Sequence, residues 1–476
     1  MSTDVLEKLT ATEQASSSDT IQTINPSTGQ PLNSYKMMTD QEASEAVKAT
    51  HQAFLTWKTF SLEKRAEFIN KIGESLSKHK DQLVKLMTQE MGKLTSQGEQ
   101  EVDLCVGICE YTAKNGPEVL KDEERTLPDG GKGLITNAPI GVIYGIQPWN
   151  FPTYQVIRYA IANLMAGNGV LLKHAENVTG SALLIDKIIR EAGLPENIFT
   201  VLRISHEQSD AIIENDLVRG VTLRGSGAAG KVVGEKAGKA LKKTVLELGS
   251  NDAYLVLDDA DVDTAVEWSI KGRIYNNGET CVAAKRFVVT EKVYDEFKEK
   301  FVAGMKEIKF GDPADDTVDI GPMARKDLRE KLHDQLKESV ANGAEILCGG
   351  ELPEGDGYFY PATVLGNVKP GQPAYDDELF GPVASLIKAK DNEDAKRIAN
   401  DSRFGLGGGI FSKDEEAAFE LAKNHFDTGM VFINSFGVAQ PNMPFGGVKA
   451  SGYGREHGGF GVKEFVNEKA IMRLNS

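Results

Sequence analysis

The sequence predicts an α/β protein built on doubly wound parallel sheets, and three observations lead there. Short apolar, β-rich runs alternate with helical stretches: Gly141-Val142-Ile143-Tyr144-Gly145-Ile146, Gly169-Val170-Leu171-Leu172-Lys173, Ile198-Phe199-Thr200-Val201-Leu202 and Gly220-Val221-Thr222-Leu223. Strands that are apolar on both faces and separated by helices pack as a parallel sheet covered on both sides. A second alternating series runs from Val245 to about Val438. The 476 residues exceed one ordinary core, so two or three domains are expected.

Residues 1–20 are polar and rich in Ser, Thr and Glu, the composition of a flexible tail. Order is expected to begin at the turn-forming cluster Ile24-Asn25-Pro26-Ser27-Thr28-Gly29. Between residues 40 and 86 apolar side chains (Ala43, Val47, Phe54, Trp57, then Phe68, Ile72, Leu76, Leu83) recur at helical spacing, predicting two or three amphipathic helices. Further helices are expected over 154–165, 179–192, 206–214 and 293–306, with strands at 253–257 and 286–289. Segments 121–136 and 445–476 fit neither series and suit an arm for self-association.

Composition narrows the function. A formal charge of −16 opposes nucleic acid and anionic membranes as partners. The first residues lack a basic and apolar leader, and no run approaches bilayer-spanning length, so a cytoplasmic protein is expected. Cys105, Cys109, Cys281 and Cys348 are too few for a disulfide framework in so long a chain and are expected as reduced thiols. Cys105 and Cys109 share a helix face and read as core. HExxH, paired CxxC and EF-hand patterns are missing, so no metal is expected.

Two stretches carry chemistry. Gly225-Ser226-Gly227-Ala228-Ala229-Gly230 follows an expected strand and opens an expected helix, where backbone amides can hold a phosphate. An acid about 20 residues further on would hold a ribose, which nominates Glu247. Glu176, at the C-terminal edge of an earlier strand, is its rival; if Glu176 takes the ribose, Glu247 is free for catalysis. The second stretch is Asn276-Asn277-Gly278-Glu279-Thr280-Cys281, a cysteine held after a tight turn as a nucleophile would be. A cysteine taken alone is more often a buried small hydrophobe.

In chain order the motifs are Pro148-Trp149-Asn150-Phe151-Pro152, Lys173-His174-Ala175-Glu176, the glycine loop, Leu246-Glu247-Leu248-Gly249, Gly278-Glu279-Thr280-Cys281, Glu378-Leu379-Phe380-Gly381-Pro382 and Pro444-Phe445-Gly446-Gly447. This ordered set resembles the aldehyde dehydrogenase superfamily over essentially the whole chain after the tail. The resemblance implies a Rossmann-like cofactor domain (21–120 and 142–246), an α/β catalytic domain (247–440) and a small β oligomerisation arm (121–141 and 441–476), in a homodimer or homotetramer. It implies Cys281 as nucleophile, Glu247 as general base and Asn150 as amide donor to an oxyanion. Trp149, Lys173, Glu176, Gly225, Ser226, Gly230, Glu378 and Phe380 fall at cofactor positions. Lys173 and Glu176 match adenosine-ribose contacts, the 225–230 turn the pyrophosphate loop, and Glu378 the nicotinamide ribose with Phe380 beside the ring. A carboxylate at Glu176 would repel a 2′-phosphate, so NAD is expected. His174 stands where the family usually has Pro, which leaves NADP use open.

These residue types suit the chemistry. A thiolate attacks an aldehyde carbon, Asn150 and a backbone N–H at Cys281 hold the oxyanion, and Glu247 activates the water that hydrolyses the thioester. Glu279 would oppose the thiolate if aimed at it, and is expected to face solvent or a backbone N–H instead. Arg158, eight residues after Asn150, is either a surface arginine or a bidentate grip on a substrate carboxylate. Succinate-semialdehyde dehydrogenases carry an arginine at the matching place, and the chain is most similar to that subgroup, including its Lys-His-Ala and Ala-Ala-Lys-Arg stretches. Tyr275 stands where some members have a second arginine, so Tyr154, Gln155 and Tyr275 are expected to help bind substrate. The alternatives are glutarate semialdehyde or a neutral aldehyde, a CoA-acylating reaction that Glu247 argues against, and a non-catalytic member that intact Cys281, Asn150 and Glu247 argue against.

Overall fold

The computed structural model describes residues 20–475, so the expected tail lies outside the described residues except for Thr20. A hairpin of β1 (Thr20–Asn25) and β2 (Gln30–Lys36) closes through the expected turn cluster. Three amphipathic helices follow, Asp40–Trp57, Leu62–Lys78 and Lys80–Met91. Thr39 and Glu42 form a reciprocal capping box on the first, Ser61 caps the second, and Gly92, at φ 75°, ends the third. Ile72, Leu76 and Leu83 pack with the long helix Thr95–Leu120, in which Cys105 and Cys109 are fully buried.

The strands β3 (Glu123–Thr126) and β4 (Lys132–Pro139) then leave the body. The first large sheet collects β5 (Val142–Gln147), β6 (Gly169–His174), β7 (Phe199–Val201), β8 (Val218–Arg224) and β9 (Lys243–Glu247), all parallel, in the order β9-β8-β5-β6-β7. The chain winds outward from β5 to β7, then returns to β8 on the other side of β5. That reversal opens a crevice beyond the C-terminal ends of β5 and β8, the place where such sheets take ligands.

A second sheet holds β10 (Ala253–Val256), β11 (Arg286–Thr290), β12 (Glu345–Cys348), β13 (Thr363–Gly366), β14 (Val383–Ala389), β15 (Gly408–Phe411) and β16 (Phe432–Ile433), in the order β12-β13-β14-β11-β10-β15-β16. All pairs are parallel except β12 with β13. Because β9 passes directly through Leu248–Asp252 into β10, the C-terminal edge of the first sheet faces the N-terminal edge of the second. The site lies in that gap.

The last strands divide. β17 (Gly452–Tyr453) pairs antiparallel with β9, opposite Glu247 and Leu246, so part of 441–476 joins the first sheet rather than the arm. β18 (Val466–Arg473) runs antiparallel along β4, completing a three-stranded sheet with β3. Ile471, Met472 and Leu474 are exposed at its end. Among the described residues no helix is long and apolar enough to cross a membrane.

Candidate active site

Several of the residues expected at cofactor positions stand at the C-terminal ends of β5, β6 and β8. Ser226 caps the helix Gly227–Lys239, its hydroxyl accepting from Ala229 N at 3.2 Å. A Cβ on Gly225 or Gly227 would meet nothing within 4 Å, whereas one on Gly230 would lie 2.6 Å from Leu248. The first two glycines therefore leave open space at a helix N-terminus and the third lets helix and strand pack closely, an arrangement that fits a dinucleotide pyrophosphate. Glu176 is exposed on the rim while Glu247 is buried below it, which separates the two rival acids. Lys173 is buried at the end of β6. The neighbouring His174 is a strut: Nε2 lies 2.9 Å from the Pro152 carbonyl and Nδ1 accepts from Ala175 N at 3.0 Å. Burial holds its ring neutral, pushing its pKa down to about 4.

The loop before Cys281 is built from turn residues in the left-handed region. Asn276, Asn277 and Gly278 all have positive φ (54°, 59° and 75°), a conformation that Asn and Gly tolerate best. Asn276 Nδ2 donates to the Asn150 carbonyl at 2.9 Å and the Glu279 carbonyl at 3.1 Å, tying this loop to the Pro-Trp-Asn-Phe-Pro turn. Asn277 donates to the carbonyls of Gly92 and Pro322 and accepts from Gly321 N. A Cβ at Gly278 would stand 2.4 Å from the Gly381 carbonyl carbon, so the Glu-Leu-Phe-Gly-Pro motif closes directly on this turn. Gly278→Ala should therefore displace Cys281, costing ~1–2 kcal/mol in backbone strain alone and most of the activity. Paired melting and turnover measurements check it. Glu279 takes the backbone alternative: fully buried, it accepts from Ala324 N at 3.2 Å.

Asn150 is fixed on both sides. Its Nδ2 donates to the Glu279 carbonyl at 3.1 Å and its Oδ1 accepts from Gln155 Nε2 at 3.3 Å. One N–H of the amide remains for an oxyanion. Below it, Glu101 Oε1 accepts from Thr153 N at 2.8 Å and Tyr154 N at 2.9 Å, capping the helix Tyr154–Ala166. Glu101 pairs with the buried Lys93, whose ammonium lies 3.9 Å from the Phe151 ring centre. Near Cys281, Tyr275 stacks on Phe151 at 6.3 Å and meets Phe436 at a tilt at 6.0 Å. Arg273, by contrast, is fully buried and spends NH2 on the Gly278 carbonyl at 2.7 Å.

Arg158 is not a surface residue. It is 2 % exposed, its Nε 2.6 Å from Glu456 and its NH2 4.0 Å from Glu247, with NH1 donating to Tyr154 Oη at 3.1 Å. Its guanidinium lies 4.6 Å from the Phe445 ring centre. Tyr154 Oη also meets His457 Nε2 at 2.9 Å. Arg224, at the end of β8, pairs with the same Glu456 and donates to Gln147 at 2.7 Å. Two arginines and two glutamates thus share one buried cluster, so Arg158 already has carboxylate partners within the chain. Neither Glu247 oxygen has a hydrogen-bond partner among the described residues. Burial pushes that carboxyl up to about 7, against the downward pull of Arg158, Arg224 and Arg455.

On the other side of Cys281, Glu378 Oε1 accepts from Ser250 N at 3.0 Å and lies 3.2 Å from Lys285. Phe380 meets Trp149 edge to face at 5.8 Å. Burial pushes the Cys281 thiol up to about 11; Arg158 and Lys285 pull it down, and Glu247 and Glu378 push it further up. The arrangement places a thiol, a side-chain amide and a buried carboxylate near an open helix N-terminus.

Sequence reasoning missed Glu456, Arg224, Lys285, Glu101 and Lys93. Two of them leave a signal, a cation closing an apolar run: Val221-Thr222-Leu223-Arg224, and Ala283-Ala284-Lys285 before Phe287.

The chain and its fold are similar to those of known proteins. The chain is 41% identical over 450 residues to a succinate semialdehyde dehydrogenase [NAD(P)+] of Escherichia coli, covering 94% of this chain and 97% of that one. It is 39% identical over 465 residues to a succinate-semialdehyde dehydrogenase [NADP(+)] of Deinococcus radiodurans, covering 97% of each. The solved structure of succinic semialdehyde dehydrogenase from Streptococcus pyogenes with NADP+ superposes with a TM-score of 0.93 at 38% identity, over 96% of this chain and 100% of that one. Betaine aldehyde dehydrogenase from Staphylococcus aureus with NAD+ gives 0.92 at 28%, over 96% and 92%. The model of the aldehyde dehydrogenase family matches residues 13–471, nearly the whole chain, and the chain belongs to that family.

Proposed function

We propose that the chain oxidises a carboxylate-bearing aldehyde, succinate semialdehyde, to the acid by hydrolysis of a Cys281 thioester. The observation that carries this reading is Arg158, a buried guanidinium 4.0 Å from Glu247 whose charge reaches the Cys281 thiol. Five N–H donors belong to a guanidinium, and the Tyr154 and Glu456 contacts leave some for a second carboxylate. The relatives' substrates support the same reading.

Cys281 attacks the aldehyde carbon, and the free N–H of Asn150 with the Cys281 backbone N–H holds the oxyanion. Ser226, Glu176, Lys173 and Glu378, with Trp149 and Phe380 beside them, would hold a nicotinamide dinucleotide, which would supply the hydride acceptor. Glu247 then takes a proton from the water that cleaves the thioester. Since only its ionised form is a base, thioester hydrolysis should rise with pH through about 7 and level above it. Glu176 on the rim supports NAD, and both dinucleotides belong in the test. The exposed end of β18 supports self-association through the arm, which sedimentation would measure.

The test follows reduced nicotinamide with succinate semialdehyde, glutarate semialdehyde and a neutral aldehyde of equal length, with NAD or NADP, with and without CoA. Preference for succinate semialdehyde without CoA is expected. Strict dependence on CoA, or equal rates on the neutral aldehyde, would overturn the reading.

A further inference from the structure

Lys285 lies between the nucleophile and the cofactor edge, and the chemistry above leaves it unused. Its side chain is buried, and an ammonium has three N–H donors. Three acceptors surround it: the Thr280 carbonyl at 3.2 Å, the Cys281 carbonyl at 2.5 Å and Glu378 Oε1 at 3.2 Å. Burial penalises an ammonium unless its N–H groups are paired, and here each of the three has an acceptor within reach. Two of the three acceptors belong to the nucleophile turn and the third to the carboxylate at the cofactor crevice. Glu378 Oε1 is further pinned by Ser250 N, which leaves Oε2 outside both contacts.

We propose that Lys285 is a positioning residue that sets both the Cys281 turn and the Glu378 carboxylate, coupling occupancy of the dinucleotide's ribose site to the reactivity of the thiol. The inference rests on Cys281 as nucleophile and Glu378 as ribose contact. The groups acting on the thiol are Arg158 and Tyr154 from the helix Tyr154–Ala166, Glu247 from the end of β9, Glu378 from the loop before β14, and Lys285 itself. Lys285 favours the thiolate and Glu378 opposes it. Ribose hydroxyls that donate to Glu378 spread its negative charge, so Lys285 then acts more strongly on Cys281.

The test is alkylation of Cys281 by iodoacetamide across pH in dinucleotide-free protein, with the labelled peptide located by mass spectrometry, beside fluorescence titration with reduced nicotinamide dinucleotide. Lys285→Met should slow alkylation at neutral pH, about tenfold for a thiol pKa higher by one. Glu378→Gln should speed it, and both variants should weaken dinucleotide binding. The double variant should bind no worse than Glu378→Gln alone, as expected of two residues acting as one unit. A merely structural lysine would not give opposite signs. Wild-type alkylation in folded Lys285→Met, or slower alkylation in both variants, would overturn the proposal. If Lys285→Met does not fold, Glu378→Gln decides: faster alkylation supports the coupling, and an unchanged or slower rate overturns it. Protein that stays active after full labelling of Cys281 would overturn the nucleophile reading, and the Lys285 proposal with it.

Discussion

Glu247→Gln is expected to convert the protein from multiple turnover to a single one. Each site should release about one reduced nicotinamide in a burst, after which the rate falls by ~10²–10⁴. The reason is local. Glu247 is a buried carboxylate with no hydrogen-bond partner among the described residues, and burial pushes it up to about 7. An amide of the same size therefore keeps the packing and removes only the base. Stopped-flow traces beside unchanged circular dichroism would establish both halves.

Arg158→Ala should have the second large effect, and on two quantities. The guanidinium is the partner of Glu456 at 2.6 Å and neighbours Glu247 at 4.0 Å, both buried. Removing one member of a buried ion pair typically costs ~3–5 kcal/mol, because the charge left behind is uncompensated. Denaturant unfolding should show a loss of that order. Activity on succinate semialdehyde should fall further than activity on a neutral aldehyde of the same length. With one downward pull gone, the pH at which thioester hydrolysis levels should also move above about 7. Equal losses on charged and neutral aldehydes would leave Arg158 its place in the charge cluster and remove it as a substrate anchor.

The parts of this site that were legible in the sequence are those written in local turn chemistry. Asn276-Asn277-Gly278 announces a tight turn, and the structure adds that all three have positive φ. The helix expected over 154–165 spans Tyr154–Ala166, because strand, turn and apolar period all point the same way there. What stayed hidden is who pairs with whom. Glu456 lies almost three hundred residues from Arg158 along the chain and joins it because β17 folds back on β9. A buried charge leaves no periodic signal, so Glu456 reads as an ordinary polar residue until its surroundings are known, and the cations that close apolar runs at Arg224 and Lys285 do not name their partners. Arg158 shows the same limit: surface and anchor were the two alternatives open in the sequence, and the structure adds a third role, membership of a charge cluster around the base.

The most direct test of the account is the intact and peptide mass of Glu247→Gln after mixing with succinate semialdehyde and NAD or NADP, with no CoA present. A succinyl group on Cys281, formed in step with the burst of reduced nicotinamide and removed by hydroxylamine, is the predicted result. Reduced nicotinamide formed without an acyl group on Cys281, or the acyl group found on another residue, would contradict it.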